Sequence, residues 1–295
     1  MSTSLPGAPR DPSATALGFV GLGEMGSLMA ARLLAWPGGL TVYDVRPEAA
    51  APLAAGGARV ADTLADLARS ADVVGVMVRD DEQVRDVFAA MAEAARPGAV
   101  VAVHSTIRPS TAVELAERGR ERGVRVLDVP VSGGVIGARS GRLALLVGGD
   151  RQAFEECREP FGLLAEIVCH FGPAGSGTRA KLARNLVNFV GVAAALEAAR
   201  LAQAAGVDLS KLSRITTHTD SLSGGPGVVM LRGDREPLEP DDPLRPIFAH
   251  TSELGEKDLS LALELGAELG FDLPLAREAI LHLADYLGVP HRPDA

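Results

Sequence analysis

The sequence predicts an α/β domain built on a parallel-rich sheet, then an all-helical domain that a long helix joins to it. Three observations carry this expectation. Short apolar runs recur through the first half, separated by Ala- and Leu-rich segments of helical spacing. Those runs are nearly continuous rather than alternating, as strands buried on both faces must be. After about residue 173 the strand-like runs stop, and the rest reads as helix.

The elements follow in order. Residues 1–15 read as a flexible tail without the apolar core of a signal peptide. "ALGFVGLGEMG" starts as a strand and turns on glycines into "SLMAARLLA", which has helical spacing. Further strands are expected at 40–45, 72–78, 99–105, 124–131 and 143–149, with helices at 47–55, 62–70, 81–95 and 109–122 between them. "FGPAGSG" at 171–177 is a Gly/Pro hinge. It divides a sheet domain of residues 16–173 from a helical domain of 174–295. Residues 178–204 form one long helix, apolar on most sides and so expected to pack between other elements. A Pro- and acid-rich loop spans 233–246, and two amphipathic helices close the chain.

Composition narrows the function. With 47% hydrophobic and 23% charged residues the chain is an ordinary globular protein. A net charge of −9 argues against nucleic acid as main partner. Two cysteines without a CxxC or His/Cys cluster give no zinc site or disulfide framework, and no metal is expected. No uncharged apolar run reaches the roughly 18–20 residues of a membrane helix. A cytoplasmic protein is the resulting expectation.

The residues Gly21, Leu22, Gly23, Glu24, Met25 and Gly26 form a GxGxxG turn. It follows a strand, opens a helix and precedes a second strand ending in Asp44, eighteen residues after Gly26. That is the dinucleotide-binding arrangement of a Rossmann domain. The first glycine permits the tight turn, the second lets backbone approach a pyrophosphate, and the third lets helix and strand pack closely. The helix N-terminus supplies unpaired N–H groups and positive dipole. Asp44 suits both ribose hydroxyls and repels a 2′-phosphate, favouring NAD, with NADP as the alternative. Arg46 could stack on adenine, meet such a phosphate, or be a solvated surface residue.

Other polar clusters are less decisive on their own. Ser105 and Thr106 follow a strand, where open parallel sheets bind ligands; they either contact cofactor or substrate, or Ser105 or Ser110 caps the next helix. His104 beside them has no paired carboxylate nearby in sequence and reads as structural. Ser132, Gly133 and Gly134 expose backbone N–H groups that could cradle a carboxylate, or simply form a turn. Lys181 and Asn185 are four apart and share one helical face. Lys257, in "EKDL", reads as a surface lysine from pattern alone.

Together these segments resemble the β-hydroxyacid dehydrogenase family, which includes 3-hydroxyisobutyrate dehydrogenase, tartronate semialdehyde reductase and short glyoxylate reductases. The resemblance spans about residues 16–290 and rests on "GFVGLGEMG", "STI", "DVPVSGGVIGARSGRLALLVGG", "GPAGSGTRAKLARN" and "KDL", in that order. It implies a Rossmann domain, a helical domain and a homodimer or homotetramer acting on a small carboxylate. Lys181 matches the catalytic lysine and Asn185 the asparagine four residues later. Ser132, Gly133 and Gly134 match the loop holding the substrate carboxylate. Val78 and Arg79 match a pair flanking the cofactor, and Lys257 a lysine near the nicotinamide.

Three departures stand out. Arg184 occupies a position where the family often has asparagine, His104 one where aspartate is common, and Arg79 one where proline is usual. Arg184 beside the site implies a more acidic or larger substrate than 3-hydroxyisobutyrate. The expected activity is therefore NAD(P)-dependent interconversion of a small β-hydroxy acid and its semialdehyde or keto acid, with Lys181 as general acid/base. Its rivals are a 6-phosphogluconate-type oxidative decarboxylase, whose chains are longer, an imine reductase, a group that generally lacks this lysine, and a nucleotide-sensing module without turnover.

Overall fold

A computed structural model describes residues 13–231 and 236–291; most of the proposed N-terminal tail and the first residues of the acid-rich loop fall outside them. The chain divides into two compact units, Met1–Arg184 and Asn185–Ala295.

The first unit is a sheet with helices on both faces. Its strands are β1 (Leu17–Val20), β2 (Leu40–Tyr43), β3 (Arg59–Val60), β4 (Val73–Val76), β5 (Val100–Val103), β6 (Arg125–Asp128), β7 (Val131–Ser132), β8 (Leu143–Gly148) and β9 (Ala165–Gly172). They lie in the order β3-β2-β1-β4-β5-β6-β8-β7, with β9 paired to β8. From β3 to β6 every pairing is parallel. The chain order reverses between β1 and β4, which makes their carboxyl ends the switch point where such sheets bind ligands. The helices of this unit are α1 (Glu24–Leu33), α2 (Ala51–Ala55), α3 (Leu64–Ser70), α4 (Asp81–Ala92), α5 (Pro109–Glu121), α6 (Gly134–Ser140), α7 (Arg151–Glu156) and α8 (Arg158–Leu164).

Strand alternation sends successive side chains to opposite faces, so the unit has two cores. Phe19, Met29, Leu33, Phe154 and Phe161 pack on one side. Val20, Leu67, Val74, Phe88 and Leu115 pack on the other. Burial of a Leu- or Phe-sized side chain contributes roughly 1.5–3 kcal/mol, so these layers stabilise the sheet whose strand ends carry the site.

Several expectations need correction. The strand expected over 124–131 is two strands, because Pro130 has no N–H to donate to a ladder. The sheet is parallel-rich, as expected, with β8 antiparallel to both β6 and β7. The short β3 and the largely exposed β9 lack an apolar run, and periodicity does not show them.

The long helix α9 (Ser176–Ala204) runs across the division of the chain. It was expected to be packed; instead only Gly177, Thr178 and Lys181 are buried, while Leu182, Leu186, Phe189 and Leu196 are exposed. Apolar composition shows that a surface favours burial but not that its own chain covers it. This helix is long and apolar enough to cross a membrane by length and composition. It contains Glu197, whose carboxylate accepts hydrogen bonds from the N–H groups of Leu275 and Ala276.

In the second unit α10 (Leu209–Ser223), α11 (Arg245–Glu268) and α12 (Pro274–Leu287) follow α9. The Glu197 carboxylate sits at the N-terminal end of α12, where the helix leaves donors unpaired. Leu238, Ala284, Leu287 and Val289 form a small core there.

Candidate active site

The glycine turn lies where β1 ends and α1 begins. Gly21 has φ +88°, and a Cβ on it would stand 2.2 Å from the Met77 carbonyl oxygen. A Cβ on Gly26 would come within 1.9 Å of the Gly21 oxygen, so α1 packs against its own turn at a spacing only glycine permits. Gly23 is different: nothing lies within 4 Å of its would-be Cβ. Its side is open, as backbone approach by a pyrophosphate requires.

The turn borders a cavity of about 780 Å³ between the carboxyl ends of β1, β2 and β4. Gly21, Gly23, Glu24, Met25 and Gly26 line it, with Asp44, Arg46, Val78 and Arg79 on the remaining walls. The volume suits a dinucleotide, and the open glycine, helix N-terminus and strand-end acid fit one chemically. Leu22 donates its N–H to Asp44 Oδ2 at 2.7 Å, which ties the turn to β2. Asp44 Oδ1 accepts from Arg46 N at 2.9 Å and Nε at 3.4 Å. Arg46, whose side chain is largely exposed, thus pairs with the acid it follows. Arg79 is paired with Asp80 at 2.9 Å.

Ser105 and Thr106 do not line this cavity. Ser105 is buried; its hydroxyl accepts from Val78 N at 2.8 Å and donates to Val78 O at 2.7 Å. It caps no helix either: Arg108 precedes α5, without a side-chain cap. Its role is to pin the end of β4 beside the cavity. His104 is buried between Phe19, stacked on it, and Phe161, edge-on. Its Nδ1 lies 3.0 Å from the Val129 carbonyl oxygen, so that nitrogen carries the proton and donates. Burial pushes its pKa down to about 4, which keeps the ring neutral.

Toward the other end of the sheet, Ser132 closes β7 and α6 begins at Gly134. Gly133 and Gly134 have φ +122° and +58°, positive-φ conformations that favour glycine at this turn. Ser132 and Gly133 line a second cavity of about 390 Å³ with Arg142, Arg184, Ile167 and Phe171. Arg142 pairs with Glu166 at 2.6 Å.

Lys181, on the second turn of α9, is only 8% exposed. None of the ion pairs among the described residues involves it. Burial lowers its pKa, and the neighbouring Arg184 guanidinium lowers it further. A buried ammonium without a carboxylate partner is costly for a purely structural residue and useful for proton transfer. Asn185 follows one turn later on the same helix, though across the division of the chain. Lys257 lies on α11 in the second unit, half-exposed and paired with Asp258 at 3.0 Å.

One polar residue was missed by motif reading: Asp128, buried at the end of β6. Its carboxylate accepts from the N–H groups of Gly175 at 2.8 Å and Thr178 at 2.7 Å. The signal was present as an acid inside an apolar strand, but its partners are backbone groups that no motif displays.

An open dinucleotide cradle at a Rossmann switch point, with a helical unit after it, marks a nicotinamide-dependent oxidoreductase. Comparison with known proteins makes this specific. The sequence model for the NAD-binding domain of 6-phosphogluconate dehydrogenase matches residues 16–172. The model described as NAD-binding of NADP-dependent 3-hydroxyisobutyrate dehydrogenase matches residues 175–285. The chain belongs to the β-hydroxyacid dehydrogenase family, of the 3-hydroxyisobutyrate dehydrogenase type, and is an NAD(P)-dependent dehydrogenase or reductase. It is 52% identical to an uncharacterised oxidoreductase of Mycobacterium tuberculosis over 286 residues, 96% of each chain. A crystal structure of an oxidoreductase from Mycobacterium avium matches with a TM-score of 0.89 at 53% identity, covering 93% of this chain and 99% of that one. The 3-hydroxyisobutyrate dehydrogenase of M. tuberculosis, solved with L-serine, is 32% identical with a TM-score of 0.66, over 92% and 93% of the two chains.

Proposed function

We propose that this enzyme interconverts a small β-hydroxy carboxylate and its semialdehyde or keto acid, with Lys181 as general acid/base and NAD preferred over NADP. The observation that carries the reading is Lys181: buried, paired with no carboxylate among the described residues, with a lowered pKa, in the unit that holds the dinucleotide cradle. The nicotinamide, when bound, supplies the hydride chemistry. The chain's residues do the rest. The turn from Gly21 to Gly26, with Leu22, Glu24 and Met25, holds the pyrophosphate; Asp44 takes the ribose hydroxyls; Arg46, Val78 and Arg79 flank them.

In the oxidative direction neutral Lys181 takes the proton from the substrate hydroxyl, and in reduction its ammonium returns it to the carbonyl oxygen. A lysine at its ordinary pKa would be protonated nearly all the time and a poor base, which is why its burial matters. Asn185 orients the same oxygen. Backbone N–H groups of the Ser132–Gly134 loop hold the carboxylate, and Arg184, on the wall of that cavity, contacts the remainder of the substrate. L-serine, present with the M. tuberculosis relative, is itself a β-hydroxy carboxylate and belongs in the test panel.

The test follows NAD(P)H absorbance with 3-hydroxyisobutyrate, L-serine, glycerate and the corresponding semialdehydes and keto acids. Turnover on a β-hydroxy carboxylate is expected, with higher kcat/KM for NAD. Cofactor binding without turnover on any of them would overturn the reading. We further propose a homodimer or homotetramer, since Leu182, Leu186 and Phe189 on α9 are exposed in the single chain. Light scattering should give a mass of two or four chains, and Leu186→Ser with Phe189→Ser should lower it; a monomer at micromolar concentration would exclude this.

A further inference from the structure

We infer that Asp128 is the positioning residue that fixes Lys181 relative to the Ser132–Gly134 loop. This rests on the role proposed for Lys181. The same carboxylate is attached to both parts of the site. By covalent connection it stands four residues before Ser132, at the end of β6. By hydrogen bonding it holds α9: Oδ1 accepts from Gly175 N at 2.8 Å and Oδ2 from Thr178 N at 2.7 Å, and Lys181 follows Thr178 by one helical turn.

The packing around the clamp leaves no slack. A Cβ on Gly148, the antiparallel partner of Asp128, would lie 2.5 Å from Asp128 Oδ1 and 2.6 Å from Gly177 N. A Cβ on Gly177 would lie 2.2 Å from the Leu146 oxygen and 2.6 Å from the Asp128 carbonyl oxygen. The first turn of α9 is thus pressed onto the backbones of β6 and β8, with the carboxylate sealed between them. The strand segment just beyond is held as well: Val129 N donates to Val103 O at 2.8 Å, and His104 donates to Val129 O.

Burying a carboxylate is unfavourable, and burial raises the pKa of Asp128 against the effect of the two N–H donors. Overall stability is served better by an apolar residue at most strand ends. What the acid supplies is direction: two charge-assisted hydrogen bonds at a helix N-terminus fix both its distance and its rotation. Displacement of about 1 Å at a reacting group can lower rate a hundredfold, so such a fixed point is worth its desolvation.

The experiment is a double-mutant cycle in the full-length enzyme. Asp128→Asn keeps the shape but turns an NH₂ toward one of the two N–H donors. Alone it should lower kcat about 10- to 100-fold while the dissociation constant for NADH, read by fluorescence, stays within about twofold. In a Lys181→Ala background the same substitution should change kcat by less than about threefold, because the position of an absent amine has no effect. An equal loss in both backgrounds would overturn the inference. The outcome for the underlying reading is separate: if Lys181→Ala alone leaves turnover intact, the proposed mechanism fails, whatever Asp128 does. Should Asp128→Asn not fold, hydrogen exchange on the wild-type protein decides. The Gly175 and Thr178 amides should be protected as strongly as those in mid-helix; exchange at the rate of free first-turn amides would show that the clamp does not form.

Discussion

The two ends of the first unit solve the same problem in opposite ways. At the dinucleotide cradle, the groups that would touch the ligand are largely backbone N–H groups, and the residues that place them are neighbours in sequence: a strand, six residues of turn, a helix. At the Ser132–Lys181 end the groups proposed to act are side chains and loop amides from separate segments, joined by a carboxylate whose hydrogen-bond partners lie forty-seven and fifty residues further along the chain. One end is built by local geometry, the other by tertiary packing. Substitutions should therefore separate cleanly, those in the cradle acting on cofactor affinity and those at the other end on turnover.

The largest separation is expected at Lys181. Lys181→Ala should lower kcat by roughly 10²- to 10⁴-fold, the usual contribution of positioned acid/base catalysis. NADH affinity should change by less than about twofold. The lysine-dependent limb of the pH–rate profile should disappear with it, since a lowered amine pKa is what places that limb below the ordinary lysine range. A parallel fall in affinity would show that the two ends are not independent.

His104 stands between them, stacked under β1 through Phe19 and bonded to the backbone that follows Asp128. Its pKa of about 4 in the folded protein lies below the unfolded value of about 6.5. Between those values the unfolded chain binds a proton that the native chain refuses, so stability must fall as pH drops from about 6.5 toward 4. The loss approaches about 3 kcal/mol at the acid end. His104→Asn should lower stability at pH 7, because it leaves space among the aromatic rings, but should remove this component of the slope. Urea midpoints at pH 7, 5.5 and 4.5 for both proteins check it; equal slopes would mean that His104 is protonated without cost.

Gly26→Ala acts on the cradle. The new methyl carbon would fall 1.9 Å from the Gly21 oxygen, so α1 must move away from its turn. Overpacking of this kind costs roughly 1–3 kcal/mol. Expressed in binding, NADH affinity should weaken about 10- to 100-fold, with kcat at saturating cofactor nearly unchanged. A fall in kcat instead would indicate that displacement of α1 reaches the chemistry.

The legibility of the molecule in its sequence follows the same division. The turn from Gly21 to Gly26, the acid at Asp44 and the strands β1, β2, β4, β5 and β6 could be read directly, because continuous apolar runs and glycine spacing record local geometry. Lys181 could be placed on a helix from spacing, but its burial could not. Asp128 was unreadable as a clamp because backbone amides leave no mark in sequence. The split of the strand at Pro130 has a local cause written in the chain, since proline donates no N–H. The strand β9 was hidden by its exposure, since a strand with few buried positions shows no hydrophobic period. The exposed face of α9 failed for the opposite reason: its apolar pattern is plain, but composition does not say what covers it.

The smallest effect expected concerns the choice of cofactor, and it examines how local the cradle really is. Asp44 has two duties that one substitution can divide. Its Oδ2 accepts from Leu22 N and holds the turn, while on the proposed reading its negative charge opposes a 2′-phosphate. Asp44→Asn retains an acceptor for Leu22 and removes the charge, so the glycine turn should stay in place. The preference between NADP and NAD, measured as a ratio of kcat/KM values, should then move about tenfold toward NADP, equivalent to roughly 1.4 kcal/mol. Part of that shift should come from Arg46, whose guanidinium pairs with Asp44 in the unsubstituted protein and becomes available to a phosphate once the carboxylate is gone. Adding Arg46→Ala to Asp44→Asn should therefore return a fraction of the preference. If the double substitution behaves like the single one, discrimination resides in the acid alone, and Arg46 serves only to hold it.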